Sequence, residues 1–338
     1  MTAPAFTPPR WLPGGHAQTI WPAWVGRRRL ARGLSFARER WTTPDGDFVD
    51  VDFAPPPRGT AASLDQPAAP GAKPQAPLLV LFHGLEGSIR SHYALAFARV
   101  AAERGWAYAL PHFRGCSGEI NRAPRAYHSG DFEEVGWMLS RLHARHGAPV
   151  LAVGVSLGGN ALLRWAAEAG DAACRDVRAL AAVCAPVDLA ASGAALGRGF
   201  NRQVYARMFL RTMKAKALAK WAQHPGLFDR ERVAAARDLH MFDDAFTAPL
   251  HGFRGVDDYW TRAAAKPHLA RIRLPALVLH ARNDPFVPPS SLPRAGEVGP
   301  RVELWQPPHG GHVGFPVPGR EGLLAMPRAV CRWLAERR

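Results

Sequence analysis

Lysine is scarce: Lys73, Lys214, Lys216, Lys220 and Lys266 are the only five in 338 residues, so 38 of the 43 basic residues are arginines. These are scattered over the whole chain, and the formal net charge of +15 therefore reads as a compositional bias. No basic-aromatic nucleic-acid module accompanies the charge, which leaves no nucleic acid among the expected partners. Cysteine is also scarce. Cys116, Cys174, Cys184 and Cys331 lie far apart, with no CxxC pair and no metal-ligand spacing. That excludes a disulfide scaffold, gives no reason to expect a bound metal, and points to a reducing, cytoplasmic setting. Long apolar runs are missing too: the most apolar stretch, Ala179 to Ala191, is interrupted by Pro186 and Asp188. Met1 to Arg10 lacks a charged segment followed by an apolar one, so neither a transmembrane helix nor a signal peptide is expected. There is no internal repeat. With 47% hydrophobic and 21% charged residues, the chain can bury a sizeable core, which excludes disorder and collagen.

The order of elements is informative. Residues 1–53 read as an N-terminal arm followed by a hairpin. Phe6 to Trp24 is rich in Pro and Trp without clear periodicity and is expected to wrap over the core as an ordered arm, whereas Ser35 to Trp41 and Phe48 to Phe53 are strands flanking the turn-forming Asp45-Gly46. Residues 54–77 form a Pro/Ala/Gly-rich connector that cannot pack a core, and are expected to be a mobile surface loop. From Leu78 onward, short apolar runs alternate with longer helical patterns. Strands are expected at Leu78 to Phe82, Trp106 to His112, Pro149 to Val155, Ala179 to Ala185, Ala276 to His280 and Val302 to Trp305. Helices are expected around Tyr93 to Arg104, after a cap at Ser129 or Asp131, over Leu157 to Ala169, and from Pro327. Strands alternating with helices specify an α/β fold: a mostly parallel sheet covered on both faces.

Residues 187–268 break the alternation. Phe200, Val204 and Met208 recur at four-residue steps, with Tyr205, Phe209 and Met213 widening the stripe and Arg198, Arg202, Arg207, Arg211 and Lys214 mostly on other faces. This segment is read as a helical cap inserted over the carboxyl edge of the sheet, where ligands bind in such folds. Residues 78–186 and 269–338 then complete one catalytic domain.

Gly154-Val155-Ser156-Leu157-Gly158 matches G-x-S-x-G between an expected strand and an expected helix, which is the context the motif requires. A sharp strand-to-helix turn exposes the serine oxygen, and the flanking glycines admit a backbone too tight for Cβ atoms. A nucleophile of this kind needs two backbone donors for the oxyanion. The expected pair is the N–H of Leu157 and that of Leu85 in His83-Gly84-Leu85-Glu86-Gly87. His83 is read as an anchor of that loop. The base must come from the loop after the last strand, where His312 is preferred over His309, because glycines bracket it closely. An HxxH pair alone is a weak metal signal. The acid should follow the penultimate strand, at Asp284; Asp188 competes, with helix capping as its plainer role. Cys116 either lines the pocket or packs.

These residues also carry a family likeness. Trp11-Leu12-Pro13-Gly14-Gly15-His16-Ala17-Gln18-Thr19-Ile20, His83 to Ser88, Phe113-Arg114-Gly115-Cys116-Ser117-Gly118-Glu119, Tyr127-His128-Ser129-Gly130, Phe242 to Pro249 and Gly310 to Phe315 resemble the YheT-like branch of the α/β-hydrolase superfamily. The resemblance implies a carboxylic ester hydrolase of esterase or lipase type that needs no cofactor. It implies Ser156, Asp284 and His312 as the charge-relay residues, with relatives acting on medium-chain acyl esters, monoacylglycerols or phospholipids; short- to medium-chain acyl esters or monoacylglycerol-like lipids are the expected substrates. The connector at 54–77 and the absence of an N-terminal membrane anchor depart from the branch. Three other readings remain open here. One is acyl transfer to an alcohol from the same acyl-enzyme. Another is a non-catalytic lipid or protein binder on the same fold. The third is transient contact of the arginine-rich cap helix with an anionic membrane surface, against its plainer reading as a solvated face.

Overall fold

The computed structural model describes residues 4–54, 76–319 and 322–337. The connector expected at 54–77 lies outside them except at its two ends. The continuous apolar runs become strands buried along their whole length: β3 (Leu78–Phe82), β4 (Ala107–Pro111), β5 (Val150–Val155) and β7 (Ala276–Leu279). A strand covered on both faces needs no polar alternation, which is why these segments show none. With β1 (Ala37–Thr42), β2 (Phe48–Ala54), β6 (Val177–Val183) and β8 (Val302–Trp305) they form one eight-stranded sheet in the order β1-β2-β4-β3-β5-β6-β7-β8. The pairings of β1 with β2 and of β2 with β4 are antiparallel, and the rest are parallel. The hairpin is thus the edge of the main sheet rather than a separate unit. Gly46 takes the positive φ (+78°) that its turn demands.

Helices cover both faces. Leu79 and Leu81 point to the side of α2 (His92–Glu103) and α8 (Ala325–Ala335); Leu78, Val80 and Phe82 point to α3 (Phe132–His146) and α4 (Leu157–Ala169). Gly147, in the left-handed region at φ +75°, ends α3. Asp131 stands at the cap position of α3, but its carboxylate is taken by Arg125 at 2.8 Å, not by the helix.

Two elements go beyond what the sequence pattern discloses. The N-terminal arm contains a helix that no periodicity announces: Gly14–Leu30 is α1, with Pro22 inside it. Its buried residues are Gln18, Thr19, Pro22, Gly26 and Leu30, a face that is small and polar, so hydrophobic periodicity gives no signal for it. The second is the segment between β6 and β7, helical as expected, which contains α5 (Leu189–Leu196), a helical run from Gly199 through a π turn at Arg202–Ala206 into α6 (Arg207–Gln223), and α7 (Val256–Ala263). The stripe Phe200, Val204, Met208 faces outward; Tyr205, Ala206, Leu210, Ala217 and Lys220 are the buried positions. The apolar surface of this run is wider than the core beneath it requires.

Candidate active site

β5 passes into α4 through Ser156, whose backbone sits at φ +52° and ψ −122°. A non-glycine residue holds such a conformation only where its surroundings over-determine it. Here they do. A Cβ on Gly158 would lie 2.5 Å from the carbonyl oxygens of Phe82 and His83, and one on Gly154 would lie 2.5 Å from that of Gly158. The two glycines therefore let α4 press against the ends of β3 and β5, leaving the serine at the tip of the turn.

The Ser156 hydroxyl donates to His312 Nε2 at 3.0 Å, and His312 Nδ1–H donates to Asp284 Oδ2 at 2.8 Å. The other Asp284 oxygen accepts the Phe286 N–H at 2.8 Å, and the carboxyl group is fully buried. Phe286 lies over the imidazole, ring centroids 4.2 Å apart. Ser156 follows β5, Asp284 follows β7 and His312 follows β8, so all three meet at the carboxyl edge of the sheet.

The histidine loop is held from the far end of the chain, and this support was missed by the sequence reading. Thr19 Oγ1 accepts the His312 N–H at 2.8 Å and donates to the Gly15 carbonyl at 2.7 Å. Gln18 Oε1 accepts from the Gly310 N–H and from Asn283 Nδ2, each at 2.9 Å; Asn283 Oδ1 in turn accepts the Gly311 N–H at 3.0 Å. The packing is closer than any side chain allows. A Cβ on Gly314 would stand 1.8 Å from the Gln18 carbonyl oxygen, and one on Gly15 would stand 1.9 Å from that of Asn283. Pro22, with no N–H, cannot form the helical bond to Gln18 O, and Gly314 packs at that exposed carbonyl. Behind the loop, the Cys184 thiol accepts the Val313 N–H at 3.4 Å.

The turn after β3 is equally well anchored. His83 is fully buried: Nδ1–H donates to the Gly84 carbonyl at 2.8 Å and Nε2 accepts the Phe113 N–H at 3.1 Å. Burial pushes its pKa down to about 3, which keeps the ring neutral in this anchoring role. The N–H groups of Gly84, Glu86, Gly87 and Ser88 donate to Tyr93 Oη, Tyr127 Oη, Gly84 O and Ser91 Oγ respectively. The Leu85 N–H is left without a partner among the described residues. Leu157 is the first residue of α4, so its N–H has no intrahelical acceptor. Both leucines line, with Ser156, a mostly apolar cavity of about 130 Å³ walled by α5, α6 and α7. Lys216 reaches into it from α6, with Nζ 2.8 Å from Glu86 Oε1.

The competing candidates lie elsewhere. His309 is exposed, away from the serine-histidine-aspartate chain. Asp188 caps α5 by accepting the Ala191 N–H at 3.0 Å. Cys116 packs in the core, 3.4 Å from Lys216 Nζ, and burial raises its thiol pKa to about 11. Cys184, Asp284 and His312 bring three potential ligand atoms within 4.8 Å of one another, but these groups are already engaged in the hydrogen bonds just described.

The family model for the alpha/beta hydrolase fold matches residues 77–317. The Escherichia coli (strain K12) protein "Putative esterase YheT" is 40% identical over 315 residues, covering 92% of this chain and 86% of that protein. The mouse (Mus musculus) protein "Phospholipase ABHD3" is 30% identical over 245 residues, 71% of this chain; the chain spans just over half, 58%, of that relative. Among solved structures, Est1E from Butyrivibrio proteoclasticus has the same fold with a TM-score of 0.52 at 14% identity, over 90% of this chain and 98% of that one.

Proposed function

Because the chain belongs to the α/β-hydrolase family and to its esterase and lipase branch, we propose that it hydrolyses carboxylic acyl esters through an acyl-enzyme on Ser156. The reading is carried by one observation: the hydrogen-bonded chain from Ser156 through His312 to Asp284 at the edge of an apolar cavity. Ser156 Oγ attacks the acyl carbonyl carbon while His312 Nε2 takes its proton. The oxyanion forms between the N–H groups of Leu85 and Leu157, which are fixed before the charge develops. Asp284 stabilises the imidazolium, which then protonates the leaving alcohol as the tetrahedral intermediate collapses. Water repeats the sequence through the same base and releases the acid. No cofactor takes part.

The apolar cavity supports an acyl chain of short to medium length, and the Lys216–Glu86 pair at its wall supports a polar head group such as that of a monoacylglycerol-like lipid. No described helix is long and apolar enough to cross a membrane. Lipid esters reside in membranes, so contact with an anionic membrane surface forms part of this reading. The four cysteines are all unpaired, which supports a cytoplasmic setting.

Ser156→Ala tests the assignment. Hydrolysis of p-nitrophenyl butyrate is expected to fall by about 10⁴-fold or more, with loss of fluorophosphonate labelling. Undiminished turnover in that variant overturns the reading, and an acyl-ester series graded by length reports the preferred chain.

A further inference from the structure

Helix α1 is built inside out. It buries Gln18, Thr19, Pro22 and Gly26, which hold the histidine loop and pack under α2, and it exposes Ile20 and Trp24. Trp24 is 81% exposed, and Trp11, just before the helix, is 60% exposed with its ring 5.0 Å from that of Trp21. The run that begins at Gly199 does the same: Phe200 is 51% and Met208 55% exposed, with Val204 between them. His16, Ile20 and Trp24 follow one another at helical four-residue steps, as do Phe200, Val204 and Met208. The two stripes meet where the His16 ring packs 4.6 Å from that of Phe200. Large apolar residues exposed in one contiguous set mark a contact surface.

The two segments that carry this set bear charge of one sign. Residues 4–37 contain five arginines (Arg10, Arg27, Arg28, Arg29 and Arg32) and no acidic residue; residues 189–228 contain exposed Arg198, Arg202, Arg207 and Arg211 and again no acidic residue. None of these nine arginines has an acidic partner among the described residues. A surface that is apolar, tryptophan-bearing and, on these two segments, free of acidic residues disfavours a second copy of itself, because like charges would be brought together. It complements an anionic lipid surface, where tryptophans settle at head-group level and arginines meet phosphates. The patch also adjoins the active site: His16 Nδ1 hydrogen-bonds with the Tyr205 hydroxyl at 3.2 Å, Tyr205 packs 4.6 Å from Phe286, and Phe286 covers His312.

We propose that α1 and the start of the cap helix form a docking face for anionic phospholipid, placing the wall of the active site directly behind the bound surface. This extends the lipid-ester reading, and the two can fail separately when binding is measured on the full-length Ser156→Ala protein. Co-sedimentation with phosphatidylglycerol-containing vesicles is expected, weakened by salt and absent from pure phosphatidylcholine. Trp24→Ser with Met208→Ser should weaken it about ten-fold, and Arg28→Gln with Arg207→Gln about five-fold or more. Arg175→Gln with Arg178→Gln, at the opposite edge of the sheet, should leave it unchanged. In an otherwise unmutated chain, Trp24→Ser with Met208→Ser should retain hydrolysis of soluble p-nitrophenyl butyrate. Absence of vesicle binding overturns the proposal. So does binding that survives the apolar substitutions, which would reduce it to the protein's general basicity. A concentration-dependent dimer that the same substitutions return to monomer assigns the face to a second copy and likewise overturns it.

Discussion

The Thr19 hydroxyl accepts the backbone N–H of His312 across 293 residues of chain, and through its own proton ties that loop to the Gly15 carbonyl. The His312 loop is thus positioned by an element that precedes every strand of the sheet. Thr19→Val keeps the shape and removes both hydrogen bonds. Because imidazole placement matters most when the proton moves, kcat is expected to fall about ten-fold with KM little changed. Equal losses in kcat and in unfolding stability, with activity per folded molecule intact, would show that Thr19 holds the fold and not the base.

Gly314 gives a sharper test of the same interlock. Its Cβ would lie 1.8 Å from the Gln18 carbonyl oxygen, a backbone atom that no rotamer change can move aside. Gly314→Ala therefore has to separate α1 from the histidine loop, at a cost of about 3 kcal/mol. The urea midpoint should drop and ester hydrolysis should be largely lost. Gly319→Ala provides no comparable contact, having open space around it, but it sits at φ +76° and costs only the strain of that conformation, so its effect should be markedly smaller.

How far the sequence discloses this molecule follows from which forces leave a pattern. The parallel strands are legible because burial on both faces demands unbroken apolar runs, as in Leu78 to Phe82. The elbow is legible because steric exclusion demands glycine at 154 and 158. Helix α1 is not legible, since it packs through Gln18, Thr19 and Gly26 and shows its tryptophans to solvent; only the Gly-Gly-His-Ala-Gln-Thr stretch, shared with the YheT-like branch, hints that something contacts it. The outward turn of Phe200, Val204 and Met208 is hidden for a related reason. Periodicity reports an apolar stripe, but not which edge of that stripe the core will use.

Arg114 explains another of the resembling stretches. Its guanidinium, almost fully buried, binds Asp45 and Asp47 of the hairpin turn at 2.8 Å each and Glu134 of α3 at 2.5 Å. It pins the edge of the sheet to the helix layer. Arg114→Met leaves Asp47 and Glu134 buried without their cation, and should cost about 3–5 kcal/mol by denaturant unfolding. Adding Glu134→Gln in that background should recover part of the loss. If the double variant is no more stable than the single one, the unpaired carboxylate is not the source of the penalty.

Acid should destabilise this fold well above the usual carboxylate range. Burial lowers the pKa of His83 to about 3 and of His92, His128 and His280 to about 4, so all four are neutral in the folded chain near pH 5 and protonated once it unfolds. Groups with a depressed folded pKa contribute stability above the unfolded value of about 6.5, and lose it as pH falls toward the folded one. Burial acts oppositely on two carboxyl groups, raising Asp243 to about 6 and Glu134 to about 7, so these take up protons in the fold first and offset part of the effect. Four imidazoles, with His146, His251 and His268 lowered by burial in the same direction, outnumber the two carboxyls, so unfolding near pH 5 takes up protons and stability falls as the pH is lowered. Urea midpoints should therefore decline from pH 7 to pH 5 and fall further below pH 4, where Asp52, held down to about 2 by Arg38 and His112 against its burial, loses its charge. A midpoint that stays level or rises between pH 7 and pH 5 would mean that the buried imidazoles are already protonated in the folded protein, and with them the neutral His83 that anchors the turn carrying Leu85.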